Sequence, residues 1–152
     1  MSGDLFAGLR YWFLESLRFD GEGLEVRIAA GSLSEPHDIE ILGVNAGQGQ
    51  SVEVHPFNTR LSVRFRSVLA YQVYDESFSR PDAQEPHATG VLREYSNSEY
   101  LTYLRSATYF PHVRGDLYRH FSLVLEDNVL DVVAESEPEI TEAAEIARGI
   151  DA

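Results

Sequence analysis

Between Tyr118 and Ala134 two alternating apolar runs meet at Asp127-Asn128, and no other stretch restricts the fold so tightly. With those two residues at the tip of a two-residue turn, Leu125 lies opposite Leu130, Leu123 opposite Val132 and Phe121 opposite Ala134. One face is then wholly apolar, while the other gathers His120, Ser122, Asp131 and Glu135. Asp and Asn tolerate the positive φ that such a turn requires, so turn chemistry and hydrophobic register agree. The pattern predicts a sheet with one buried and one polar face, which limits where any site can sit.

Leu61 to Asp75 is the longest extended run. Leu61, Val63, Phe65, Leu69, Tyr71 and Val73 share one face, and Arg60, Ser62, Arg64 and Arg66 share the other. At about 3.3 Å per residue a straight strand of this length would reach roughly 50 Å, so a bend or bulge is expected, with Ser67 the natural place. The arginine row reads as the solvated side of a sheet, neutralised by neighbouring carboxylates.

Residues 4–19 fit two periods. The favoured reading is a short helix over 4–10, then a strand over 11–19 pairing with 24–30 across the turn Asp20-Gly21-Glu22-Gly23. That register sets Arg18 opposite Glu25 and turns Glu15 inward opposite Ile28. An inward carboxylate needs a partner or a function; in a helical segment it would face water instead. Asp38 to Val44 reads as a short strand and 45–51 as a flexible connection. The glycines of 43–49 match neither a Walker loop nor a dinucleotide fingerprint, and the stretch reads as a turn.

Residues 78–90 form a polar loop carrying Pro81, Asp82, Glu85 and Pro86, and Val91 to Tyr95 a brief strand. Ser96 with Glu99 three residues on makes a capping box, with Tyr95 and Tyr100 placed as its hydrophobic staple. The helix should run through Leu101, Leu104 and Ala107 and stop before Pro111, its apolar stripe on the sheet. After Glu135 the chain turns acidic; Ile140, Ala143, Ala144 and Ala147 keep helical spacing, so 136–152 is either a short terminal helix or a frayed acidic tail. The 152 residues suit one domain. The expected class is α+β: a strongly bent, mainly antiparallel sheet with one central packed helix and short terminal helices.

The chain has no cysteine, which excludes disulfides, thiol catalysis and thiolate-built zinc sites. Met1 to Asp4 lacks the basic start of a signal peptide, and no run approaches the roughly 18 apolar residues of a membrane span. A cytoplasmic location is therefore expected. Against 25 acidic residues stand 12 basic ones, all arginine, for a net charge of −13. That field repels nucleic acid and anionic lipid, so neither is expected as a partner.

His120, Ser122 and Asp131 carry the residue types of a nucleophile set. Strand neighbours two apart hold their side chains about 7 Å from one another, too far for a Ser–His hydrogen bond. There is no Gly-x-Ser-x-Gly elbow either. No catalytic residue is assigned, and His120 reads as an exposed cross-strand partner of Glu135. The five histidines lack metal-site spacing, so neither a metal nor a cofactor is expected. Aromatic residues crowd between Tyr71 and Phe110, more than one helix and its strand need for packing. Tyrosines beside acids at a surface suit a protein-binding patch.

Tyr71-Gln72-Val73-Tyr74-Asp75-Glu76-Ser77, Tyr95 to Leu101, and His120 to Val133 followed by Glu137-Pro138-Glu139 together cover about half the chain. On these segments the chain resembles a group of small uncharacterised bacterial proteins that look like immunity partners of secreted polymorphic toxins. The resemblance implies a non-catalytic cytoplasmic protein that neutralises a toxin by direct binding. Asp75, Glu76, Tyr95, Glu99 and Tyr100 are the partner-binding residues expected, and the acidic field would speed encounter with a basic protein. One alternative is a small-ligand binder or enzyme using the polar face around His120 and Asp131, with Arg64 and Arg66 holding an anion. Another is a homo-oligomer joined through an open strand edge.

Overall fold

A computed structural model describes residues 4–6, 11–80, 90–109 and 117–144. The polar loop beyond Arg80, residues 7–10 of the expected N-terminal helix and the end of the acidic tail lie outside these. Asp4–Phe6 form a single 3-10 turn. The strands follow in chain order as β1 (Tyr11–Phe19), β2 (Gly23–Leu33), β3 (His37–Ile41), β4 (Val44–Gly49), β5 (Val52–Glu53), β6 (Arg60–Arg66), β7 (Val68–Asp75) and β8 (Leu92–Tyr95). Helix α1 spans Glu99–Ala107, and β9 (Arg119–Val124), β10 (Asn128–Ala134) and β11 (Glu139–Glu142) complete the set. All strand pairs are antiparallel. The architecture is α+β, as expected.

One sheet runs β1-β2-β6-β11, with β5 beside β2; the other runs β7-β10-β9-β8; β3 and β4 pair only with each other. The bend expected at Ser67 takes the form of a crossing between sheets. Ser67 adopts φ 51°, a left-handed conformation that redirects the strand, so β6 ends in the first sheet and β7 begins in the second. Leu24, Val26, Ile28, Leu61, Val63 and Phe65 of the first sheet meet Phe121, Leu123, Leu130 and Val132 of the second in one core. Trp12 joins them from β1. The inward halves of the patterns in β2, β6, β9 and β10 are thus used. Leu69, Tyr71 and Val73, expected on the same apolar face as Phe65, are instead exposed, because the kink at Ser67 interrupts the run and β7 lies at the edge of its sheet.

The β9–β10 hairpin keeps its predicted faces but not its predicted partners. Leu130 pairs with Leu123, Val132 with Phe121 and Val133 with His120, a slip of two residues from the sequence-based register. The tip is Glu126-Asp127, closed by the Leu125 amide donating to the Asn128 carbonyl, and neither tip residue has positive φ. Neighbours explain the change. The Glu126 amide donates to the Trp12 carbonyl, and the Asp127 carbonyl accepts from the Glu76 amide. These bonds outweigh the local preference for Asp-Asn at a left-handed turn. A slip of two leaves every side chain on its original face, whereas a slip of one would have inverted them.

In β1 the chain bulges at Glu15, between the pairs Leu14–Ile28 and Ser16–Arg27, while Arg18 does face Glu25. The bulge frees Glu15 from its inward position, and its carboxylate accepts from Arg60 Nε at 3.1 Å. Arg60, buried, also donates to the carbonyls of His55, Pro56 and Asn58. Arg64 pairs with Asp20 and Glu25, and Arg66 with Glu139. The arginine row is therefore matched by carboxylates throughout.

Two further expectations are corrected. Residues 44–49 form strand β4, not a turn: Leu42 at φ 53° and Gly43 at φ 78° make the reversal instead. At Gly49 the end of the Ile39 side chain lies across the backbone, in space a Cβ would share. The acidic segment 139–142 is strand β11 on β6, not helix, because Ile140 packs against the core at a strand position opposite Val63.

Candidate functional site

The polar face of the second sheet carries α1. Leu101 and Leu104, three apart on the helix, are buried with Val133 and flanked by Ala70, Tyr100 and Tyr118. The helix starts two residues later than the capping box implies. Ser98, not Ser96, is the N-cap: its extended backbone (φ −152°, ψ 165°) lets Oγ accept the Leu101 amide at 3.2 Å. Glu99 becomes the first helical residue, where it complements the helix dipole and reaches out to Arg80 at 3.0 Å.

Ser98 is chosen because of what lies beneath it. His120 Nδ1 sits 2.7 Å from Ser98 Oγ, and His120 Nε2 sits 2.9 Å from Asp131 Oδ1. All three are buried, at 1%, 3% and 6% exposure. The expectation of an exposed His120 facing Glu135 is thereby overturned; the two-residue slip puts His120 beside Asp131 on a diagonal of the hairpin. A carboxylate can only accept, so Nε2 donates to Asp131; in the neutral imidazole Nδ1 then accepts the Ser98 hydroxyl. Gln72 Nε2 donates to the other Asp131 oxygen at 2.8 Å. Tyr95 stacks on the imidazole at 4.9 Å and Tyr100 meets it edge-on at 5.5 Å. The two tyrosines expected to staple the helix to each other are joined through His120 instead.

These are the residue types of a hydrolytic triad, yet the geometry ties the helix down. Ser98 Oγ is shut off from solvent, carries the Leu101 amide and does not line the adjoining cavity. Replacing Ser98 with alanine is expected to cost about 1–2 kcal/mol, from the lost cap and the unpaired imidazole nitrogen. Ser96→Ala, at an exposed position, should stay within about 0.5 kcal/mol. Urea denaturation of both variants checks which serine caps the helix.

Beside this relay opens a cleft of about 690 Å³. Its floor is His120 and Ser122 of β9, Asp131 and Val129 of β10, and Gln72 of β7. Tyr74 of β7 and Arg93 and Tyr95 of β8, from the two edge strands, line it on opposite sides. The helix lends Glu99, Tyr100 and Tyr103, and the 3-10 turn Glu76–Phe78 lends Glu76 and Phe78. Of the five residues expected to meet a partner, Glu76, Tyr95, Glu99 and Tyr100 therefore line one cavity. Asp75 does not; its carboxylate caps the 3-10 turn by accepting the Ser77 amide at 2.8 Å. Tyr95 is buried in the wall, available as shape more than as contact surface. Arg64 and Arg66 belong to the other sheet and do not join His120 and Asp131 here.

Burial pushes the Asp131 carboxyl up, but the hydrogen bonds from His120, Gln72 and Ser122 outweigh it and hold the group below the ordinary carboxylate value of 3.8. A depressed folded-state value stabilises the fold above pH 3.8, and that contribution is lost as pH falls through the lower folded value. The melting temperature is expected to decline below a pH of about 4, and Asp131→Asn to flatten part of the decline. A pH series of thermal melts measures it. Burial, with the negative charge of Asp131 and neighbouring Tyr103, pushes the Tyr100 phenol up to about 12. Tyr100 thus stays a neutral hydroxyl at the cleft wall.

Two of these features were hidden in the sequence. Ser98 competes with Ser96 two residues away, and only the Glu that follows it directly marks it as the cap. Gln72 carried no signal at all. Among the described residues no three His, Asp or Glu side chains converge as a metal would require, and no helix is long and apolar enough to cross a membrane. Comparison with protein-family models, with curated proteins and with solved structures finds no match to this chain.

Proposed function

We propose that this protein is a non-catalytic binding protein that recognises another protein through the cleft between α1 and the second sheet. In line with the resemblance on Tyr71–Ser77, Tyr95–Leu101 and the final hairpin, it acts as an immunity protein that neutralises a bacterial toxin by covering its active surface. The observation that carries the reading is the cleft itself. Tyrosines and carboxylates stand at its walls, while the polar groups of its floor are already hydrogen-bonded to one another. Such a floor is rigid and has little reactivity to offer, and such walls are typical of recognition surfaces. A net charge of −13 draws in a basic protein by long-range attraction.

The test is recovery of a partner from the native host with the full-length protein, followed by rescue of growth against any toxin encoded beside it. Rescue that is lost in Glu99→Arg and Tyr100→Ala variants, both folded, supports the reading. Full rescue by those variants would remove the cleft from recognition. A second reading, a small ligand held over His120 and Asp131, is favoured by the place of both at the cavity floor. It predicts ligand-induced thermal stabilisation of the isolated protein, abolished in Asp131→Asn.

A further inference from the structure

We infer that the cleft receives the guanidinium of an arginine side chain from a partner protein, held at the mouth by the rings of Tyr100 and Tyr103 and the carboxylates of Glu76 and Glu99. The inference rests on the cleft being the recognition site and adds the chemistry of what enters it.

Tyr100 and Tyr103 stand three apart on α1, with nearly parallel rings (13° between planes, centroids 6.5 Å apart), and Tyr103 is 60% exposed. Ring faces are the negative part of the aromatic quadrupole and attract a flat cation. Beneath them Asp131 adds a buried negative charge. Both its oxygens are engaged by His120 and Gln72, so it contributes field more than contact. The rise of the Tyr100 phenol is partly caused by that same charge, and a field that resists one more anion welcomes a cation. Glu76 lines the mouth and makes no ion pair with any described residue.

The protein's own Arg80 shows that the mouth accepts a guanidinium. Its Nη2 lies 3.0 Å from Glu99 Oε2, and its side chain is 80% exposed. A pair so open to water is held weakly. A partner arginine that also covers the tyrosine rings can take Glu99 and release Arg80 to solvent at little cost. The opposing sign in the cleft comes from Arg80 and from Arg93, whose Nε is given to the Gly90 carbonyl; the two make an anionic guest the natural counter-test.

The experiment titrates the intact protein, labelled for NMR, with the blocked tripeptide acetyl-Gly-Arg-Gly-amide and its citrulline and glutamate counterparts. The arginine peptide is expected to shift resonances of Tyr100, Tyr103 and Glu76 and to bind several-fold more tightly than citrulline, an advantage that shrinks as salt rises. Tyr103→Leu should weaken it about two- to fivefold, the worth of one exposed cation–π contact. Glu76→Gln should weaken it too, and Arg80→Gln should strengthen it. Tyr103 and Arg80 are exposed, so those variants stay folded. Equal binding of citrulline, or preference for glutamate, overturns the cationic guest and leaves the cleft standing as a recognition site. Absence of any shift at the cleft, with the partner binding another face, overturns both.

Discussion

Replacing His120 with alanine is expected to destabilise the protein by about 3–5 kcal/mol. The imidazole lies between two other buried groups, and its removal leaves the Asp131 carboxylate with only Gln72 and Ser122, and the Ser98 hydroxyl with no acceptor. The larger share of the loss is therefore the cost of an under-paired buried charge, not the worth of the lost bonds. A double variant separates these. Asp131→Leu combined with His120→Leu removes both partners and fills the space, so the double variant should lose less than the sum of the single ones. Ring contacts with Tyr95 and Tyr100 are lost wherever His120 is replaced and kept in Asp131→Leu alone. Equilibrium unfolding in urea gives all three values. A single-variant loss under about 1 kcal/mol would mean that the relay does not secure the helix.

Phe65→Ala is expected to cost a similar amount, about 3–5 kcal/mol, by another route. Phe65 and Phe121 are both sealed from water, their rings 5.8 Å apart at 50°, one from each sheet. Truncating Phe65 opens a cavity where the two layers meet, and backbone pairing with β2 and β11 on both sides of β6 limits collapse. Phe57→Ala is the comparison. That ring is 82% exposed and stacks on His55, so its loss should fall within about 0.5 kcal/mol. Matching losses from the two phenylalanines would refute the assignment of the core.

What the sequence made legible was which way the residues of the central strands face. The inward residues of β2, β6, β9 and β10 could be read from period-two alternation, since burial on one side of a sheet writes itself into every second position. Partners along the hairpin were not legible, because the Glu126 amide and the Asp127 carbonyl are claimed by distant backbone at Trp12 and Glu76. Glu15 looked like a buried liability for a related reason. One extra residue in β1 turns it toward Arg60, and nothing local announces a bulge. The candidate site was half visible. Glu76, Tyr95, Glu99 and Tyr100 stood out as aromatic and acidic neighbours, but their convergence depends on α1 crossing β7–β10 and on Ser98 docking onto His120. Both are tertiary facts. The same docking explains why a histidine, serine and aspartate that looked too far apart in one strand pair do form a chain, with a different serine.

The left-handed kink at Ser67 has a consequence for how this molecule could be divided. A polypeptide cut there would leave the first layer with β6 but without β11, which arrives only after β10, while the second piece would carry β11 away with all four strands of its own layer. The first layer would lack its last strand and β11 would lack its partner β6, so the two layers are expected to be inherited, exchanged or dismantled only together.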